Sequence, residues 1–174
     1  MPKLTPVQQK FILHWGEMGT RWGVNRTVAQ IHALLYLSPR PLAAEEIAET
    51  LSVARSNVST SLKDLQGWGI VKLTHVLGDK RDHFESIKDV WEMFRTVLDE
   101  RKKRELDPTL HMLQECLTEA GPGTDEYTKQ RLQSLAEFFA TTTAWYAQIR
   151  AWPMSVVVKF LKLGDKVRKL IGAG

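Results

Sequence analysis

Apolar residues recur along most of this chain at intervals of three and four, the spacing of helices with one buried face. Val7, Phe11, Trp15 and Met18 predict a first helix over residues 4–19, with Gly16, Gly19 and Gly23 loosening its far end. Asn25 can cap a second helix from Arg26 to about Leu37, carrying Val28, Ile31, Leu34 and Leu35. Pro39 and Pro41 stop it, because the residue before a proline is biased away from helix. A short helix then follows, with Ile47, Ala48 and Leu51 inward and Glu45 and Glu46 in its first turn. Ser52-Val53-Ala54 reads as a turn into a further helix, Arg55 to about Gln66. Val58, Leu62 and Leu65 fix the inner face of that helix. Ser56, Thr60 and Lys63 then point outward, with Asn57 and Ser59 on the flanks.

The period changes from there. Residues 70–75 are rich in β-branched side chains, Gly78-Asp79 signals a turn, and His83 to Ile87 read as a return strand. Between the strands the sequence predicts a charged loop, Gly78-Asp79-Lys80-Arg81-Asp82. His75 and His83 are placed to face each other across this hairpin. Helical spacing returns with Val90, Trp91, Phe94, Val97 and Leu98, and that helix ends in the charged run Asp99 to Glu105. Asp107-Pro108 opens another helix, with Leu110, Leu113 and Leu117 inward and Cys116 a buried thiol. Beyond Gly121-Pro122-Gly123 a long helix is predicted over 124–152. Its wide seam of Leu135, Phe138, Phe139, Thr142, Trp145, Tyr146, Ile149 and Trp152 suits a partner helix, plausibly from a second subunit. Residues 154–171 read as a basic amphipathic helix, with Val157, Phe160, Leu161, Val167, Leu170 and Ile171 against Lys159, Lys162, Lys166, Arg168 and Lys169. Its apolar face points to a dimer partner in preference to a membrane surface.

The expected fold is therefore mainly α with a small β-hairpin wing: a winged helix-turn-helix followed by long C-terminal dimerisation helices. The division runs 1–105 for the DNA-binding domain with its N-terminal helix and 106–174 for the helical dimerisation region.

Composition narrows the function classes. With 174 residues and 43% apolar, the chain can bury a core. Its net charge of +4 is unevenly spread. Residues 1–87 hold 10 Lys/Arg against 8 Asp/Glu, residues 88–152 hold 9 against 11, and residues 153–174 hold 5 against 1. Charge permits nucleic-acid binding without requiring it. No run is long and apolar enough to span a membrane, and the N-terminal residues lack a signal-peptide core, so the expected location is the cytoplasm. The single cysteine excludes an internal disulfide. The five histidines are scattered, and no zinc spacing, phosphate loop or nucleophile elbow is present. Neither enzyme, cofactor nor metal site is expected.

What remains is groove chemistry. A B-DNA major groove is about 12 Å wide and admits one helix. Small outward side chains let the backbone approach phosphates. Asn57 can pair with adenine, Ser56, Ser59 and Thr60 can meet base edges or phosphates, and Arg55 and Lys63 neutralise phosphates. Lys80 and Arg81 on the wing suit a minor groove, with Asp79 orienting Arg81. The alternative from another class is a winged helix that binds a protein and no DNA.

The segments Trp22-Gly23-Val24-Asn25-Arg26-Thr27-Val28, Ala54-Arg55-Ser56-Asn57-Val58-Ser59-Thr60-Ser61-Leu62 and Gln66-Gly67-Trp68-Gly69 closely resemble the GbsR branch of the MarR-type transcriptional regulators. Gly78-Asp79-Lys80-Arg81-Asp82-His83-Phe84 and Asp89-Val90-Trp91-Glu92-Met93-Phe94 extend the resemblance, which covers roughly residues 15–110. It implies a homodimeric repressor acting on double-stranded DNA, with Arg81 of an Asp-x-Arg wing motif in the groove. The sequence departs from the family's pattern at Ala43 or Ala44 and at Ala54, where Ser or Thr often caps the two motif helices. The same branch includes regulators that sense choline-like molecules. A quaternary ammonium effector calls for an aromatic cage. Trp22, Trp91, Trp145 and Tyr146 lie on segments expected to meet between the DNA-binding lobe and the dimer helices.

Overall fold

The computed structural model describes residues 4–163. The later half of the basic C-terminal helix, with Val167, Leu170, Ile171, Lys166, Arg168 and Lys169, lies outside the described residues. The chain divides between Glu100 and Arg101 into two compact units.

The first unit opens with α1 (Pro6–Arg21), capped by Thr5. The Thr5 hydroxyl accepts from Gln8 N–H and the Gln8 amide oxygen accepts from Thr5 N–H, so two N-terminal donors are satisfied reciprocally. Helix α2 (Arg26–Leu37) starts where expected, with the Asn25 carboxamide oxygen accepting from Thr27 N–H at 2.8 Å.

The contact of α1 with α2 differs from the apolar pattern. Val7 is 78% exposed, while Ile12, Gly16 and Gly19 form the buried stripe. Phe11 and Trp15 only border the core. The glycines are therefore no loosening of the helix end but the points where α2 comes closest. A Cβ on Gly19 would stand 2.5 Å from the Cβ of Ala29, an atom fixed to the α2 backbone. Gly19→Ala gains up to about 1 kcal/mol of helix propensity. The forced separation of α1 and α2 costs about 1–3 kcal/mol. The variant is expected to melt below wild type in thermal unfolding, the reverse of what propensity predicts.

After Pro41 the chain makes a strand too short for any periodicity to show. Strand β1 (Leu42–Ala43) pairs antiparallel with β3 (Asp79–Ser86), Leu42 opposite Phe84 and Ala43 opposite His83. Strand β2 (Val71–Val76) pairs with the other edge of β3, giving the order β1-β3-β2. The reading of Asp79–Asp82 as a loop is corrected. Those residues belong to β3, and the turn is Leu77-Gly78, where Gly78 supplies the positive φ of +85°. Alternation did not reveal this, because the strand runs past the core and both faces of its outer half are polar. His75 and His83 do not face each other either. Thr74 is opposite His83, and the register shifts between Thr74 and Val76.

Helix α3 (Ala44–Leu51) and helix α4 (Arg55–Gly67) form the expected pair. Neither Ala43 nor Ala54 offers a capping side chain, in agreement with the sequence. At α3 the Glu46 carboxylate reaches back to accept from Ala43 N–H at 3.0 Å. The turn between the helices places Ser52 in the left-handed region, φ +54°. The core joins Ile31, Leu34 and Leu35 of α2, Ile47 of α3, Val58, Leu62 and Leu65 of α4, and Ile70, Val71 and Phe84 around the sheet. Helix α5 (Val90–Arg101) adds Met93 and Val97 to the rim of this core, whereas Val90, Trp91 and Phe94 are exposed.

In the second unit, the charged run does not simply end a helix. Lys102–Leu106 is a π-helical turn, in which Asp107 N–H donates to the Lys102 carbonyl. Pro108, early in α6 (Asp107–Glu119), has no N–H to continue the ladder. The wider turn keeps the carbonyls ahead of it clear of its ring. Helix α6 buries Leu113, with Leu110, Leu117 and Cys116 only half-buried; the expectation of a buried thiol is corrected to that extent. Helix α7 (Glu126–Arg150) starts at an Asp125 cap and packs on α6, with Ala136 and Thr143 its buried residues. Helix α8 (Met154–Leu163) follows Pro153. Among the described residues, no helix is long and apolar enough to cross a membrane.

Candidate nucleic-acid interface

Helix α4 has two chemically distinct faces. Val58, Ser61, Leu62 and Leu65 are buried in the core. That anchoring leaves Arg55, Ser56, Asn57, Ser59, Thr60 and Lys63 all exposed along the other side. Four of these six side chains are short, so the helix backbone can come close to a flat or grooved partner. Arg55 is not idle in the free protein. Its guanidinium pairs with the Glu45 carboxylate of α3, an exposed ion pair that a phosphate could replace.

The wing is organised by alternate residues on β3. Arg81 donates from Nε to Asp79 Oδ1 at 3.0 Å and from Nη2 to Oδ2 at 2.5 Å. Arg81 backbone N–H also donates to Asp79 Oδ1. These bonds hold the Asp79 carboxyl well below the usual carboxylate range. The guanidinium is thus fixed along the strand while remaining about half exposed. Two residues further on, the buried His83 has Nδ1 2.8 Å from the Arg81 carbonyl oxygen and Nε2 3.4 Å from Asp79 Oδ2. The first contact makes Nδ1–H the donor. Lys80 is exposed on the same strand, and Lys72 on β2 pairs across the hairpin with Glu85 at 3.1 Å.

Behind the wing, Glu46 accepts from Arg40 Nη2 at 2.6 Å and Nη1 at 3.2 Å. The Arg40 bonds, followed by the Ala43 N–H, lower the Glu46 carboxyl to about 2 against desolvation. Arg40, Glu45, Glu46 and Arg81 act on one another electrostatically, so the wing base and the start of α3 share one charge network.

The aromatic candidates are distributed between the units. Trp22 caps α1 with 57% exposure and meets Trp15 edge-on at 6.0 Å. Trp91 lies in the first turn of α5 with part of its ring exposed. Trp145, 56% exposed, and the half-buried Tyr146 are neighbours on α7. Among the described residues, no group of three or more His, Cys, Asp or Glu side chains could hold a metal ion.

Residues 22–82, from the end of α1 through the wing turn and into β3, match the model of the MarR family. That segment is similar to the MarR family. It is 22% identical over 154 residues to the HTH-type transcriptional repressor GbsR of Bacillus subtilis (strain 168), covering 83% of this chain and 85% of that protein. A crystal structure described as that of a transcriptional regulator superposes with a TM-score of 0.69 at 19% identity. It covers 83% of this chain and 96% of its own, and the likeness establishes the fold. The family match and the similarity to a transcriptional repressor together indicate a transcription regulator and not an enzyme.

Two residues of the first unit carry structural roles that the sequence did not announce. Lys88 reaches from beyond β3 to the end of α2, and His32 sits buried against Ser86. A lone Lys and a lone His at unremarkable positions have no motif. Only the pairing of β3 with the core brings them to their partners.

Proposed function

We propose that this protein is a sequence-specific DNA-binding repressor that acts as a homodimer on an approximately palindromic operator. The observation that carries the reading is the exposed face of α4, where Arg55, Ser56, Asn57, Ser59, Thr60 and Lys63 stand together opposite a fully buried face. Asn57 reads an adenine edge. Arg55 and Lys63 neutralise phosphates, while Ser56, Ser59 and Thr60 fit beneath them. Lys80 and Arg81 of the wing enter the neighbouring minor groove, with Asp79 orienting Arg81. Supporting it, the similar protein from Bacillus subtilis is a repressor by name.

Dimerisation through the second unit is supported by the outer side of α7. Leu135, Phe138 and Trp145 are exposed there, and Phe138 is 62% exposed. Three large apolar groups on one helix surface are what a partner helix would cover. Two copies of α4 would then enter successive major grooves about 34 Å apart. The reading extends to a cytoplasmic location and to control by a small effector such as choline or another quaternary ammonium compound. A quaternary ammonium ion binds aromatic rings, and each unit carries partly exposed indoles: Trp22 and Trp91 in the first, Trp145 in the second.

The test is selection of duplexes from a random-sequence pool, followed by a salt titration of the enriched site. Several phosphate contacts predict a steep log–log loss of binding with salt. Asn57→Ala is expected to relax preference at one base pair by about 1–3 kcal/mol, while Arg81→Ala weakens binding to all sequences. If both variants bind every duplex as wild type does, the groove assignment is wrong. Choline at millimolar concentration should shift the melting temperature or the operator affinity; no change in either removes the effector from the reading.

A further inference from the structure

The tip of the wing holds a feature that the polar contacts leave unused. Leu77 is the first residue of the two-residue turn, and its side chain is fully exposed, at 104%. Leu73 and Val76 on the adjoining β2 are exposed as well, so an aliphatic strip runs to the apex. Turn geometry does not ask for leucine. Gly78 takes the positive φ, and among the described residues Ser52 is the sole non-glycine that does so. Tight turns favour Asn, Asp, Ser and Gly for their local hydrogen bonds, none of which a leucine supplies. In the free protein this side chain gains nothing from burial.

Its surroundings say what would bury it. Lys80 and Arg81 lie on the returning strand between Asp79, which pairs with Arg81, and Asp82, so the apex stands beside two cationic groups within a neutral segment. The Asp79 clamp lays the Arg81 side chain along the hairpin and does not extend it past the tip. The register shift at Thr74/Val76 increases the local twist of the ribbon that carries the apex. A narrow ribbon with an aliphatic point, and with Lys80 and Arg81 behind it, matches a minor groove about 6 Å wide, whose walls are deoxyribose C–H groups beneath two rows of phosphates.

We propose that Leu77 is an apolar wedge of the wing, seated in the minor groove against deoxyribose and a flexible base step while Arg81 meets the anionic groove. This rests on the DNA-binding reading above. Pyrimidine–purine steps unstack most easily and would be preferred beneath it. The wedge is therefore a source of sequence preference that makes no hydrogen bond.

The experiment uses the full chain and a duplex enriched by wild type from a random pool, with 2-aminopurine placed at successive positions in the wing-contacted minor groove. Leu77→Ser should melt as wild type does, since the side chain touches nothing in the free protein. It should bind the duplex about tenfold more weakly or worse. Its salt slope should be unchanged, because no phosphate contact is lost. Arg81→Gln should lower that slope by about one. Wild type should raise 2-aminopurine emission at one step, Leu77→Met should retain the rise, and Leu77→Ser should lose it. Equal affinity of wild type and Leu77→Ser overturns the wedge and leaves the DNA-binding reading standing; it is also the result expected if the strip docks a protein. Weaker binding without any emission change at a base step overturns it too. Failure of wild type to enrich any duplex overturns the DNA-binding reading and the wedge together.

Discussion

Lys88→Met is expected to lower the stability of the first unit by about 2–3 kcal/mol, close to the upper end for a substitution outside the core. The Lys88 ammonium donates to the carbonyls of Leu35 at 2.6 Å, Tyr36 at 2.9 Å and Ser38 at 2.7 Å. All three of its protons are used. Helix α2 ends with no basic residue in its last turn, and Ser38 and Pro39 turn the chain away. Its final carbonyls therefore face the negative end of the helix dipole with a single cation to satisfy them. Desolvation lowers the Lys88 pKa, so the arrangement costs something to form. The ammonium also lies 6.0 Å from the centroid of the Tyr36 ring. Methionine keeps the stem and removes the donors, so urea unfolding should show a lower midpoint with an unchanged slope. Lys88→Arg should recover only part of the loss, because a planar fork cannot reach three converging carbonyls as an ammonium does. A midpoint equal to wild type for Lys88→Met would show that the carbonyls are satisfied without it. Because Lys88 follows β3 and α5 begins two residues later, the clamp also fixes where α5 leaves the domain.

The second large effect is acid destabilisation centred on His32. The ring is buried in α2, between Trp15 and Tyr36, with Nε2 3.2 Å from Ser86 Oγ. Ser86 Oγ–H donates to the Ile87 carbonyl, so its lone pair receives Nε2–H from a neutral imidazole. Desolvation, reinforced by the nearby Lys88 ammonium, lowers the His32 pKa to about 4. In the unfolded chain the group returns to its ordinary value of 6.5. Between those two values the unfolded state holds the extra proton, so stability falls as pH falls. The loss is about 2 kcal/mol from pH 7 to pH 5 and about 3 by pH 4. The carboxylates of Glu46 and Asp79, held low by Arg40 and Arg81, act in the same direction but only below about pH 4.5. The windows are therefore separable. His32→Gln can keep a bond to Ser86 without titrating, and its melting temperature should be nearly flat from pH 7 to pH 5 while that of wild type declines. Parallel profiles for the two proteins would place the titrating group elsewhere.

Much of this protein is legible in one dimension. The helices of the domain follow from apolar spacing and from Asn25, Pro39 and Pro41, each of which acts within a few residues of itself. The polar side of α4 could be listed before any fold was known, because Val58, Leu62 and Leu65 fix the inner face and leave the rest no choice. What failed depended on distance in space. Gly16 and Gly19 have no apolar side chain to enter a pattern, yet they set how closely α1 meets α2. Strand β1 is two residues long, too short for any period, and exists because β3 offers it an edge.

Amino-acid order by itself determined the helix periodicity, the helix ends and the chemistry of the α4 face, since these are set by backbone preference and side-chain alternation over one or two turns. The tertiary structure alone decided that Asp79–Asp82 are strand, that Leu77 stands at the apex, and that Lys88 and His32 meet groups about fifty positions away. Those outcomes depend on hydrogen bonds and burial between segments that no local preference brings together.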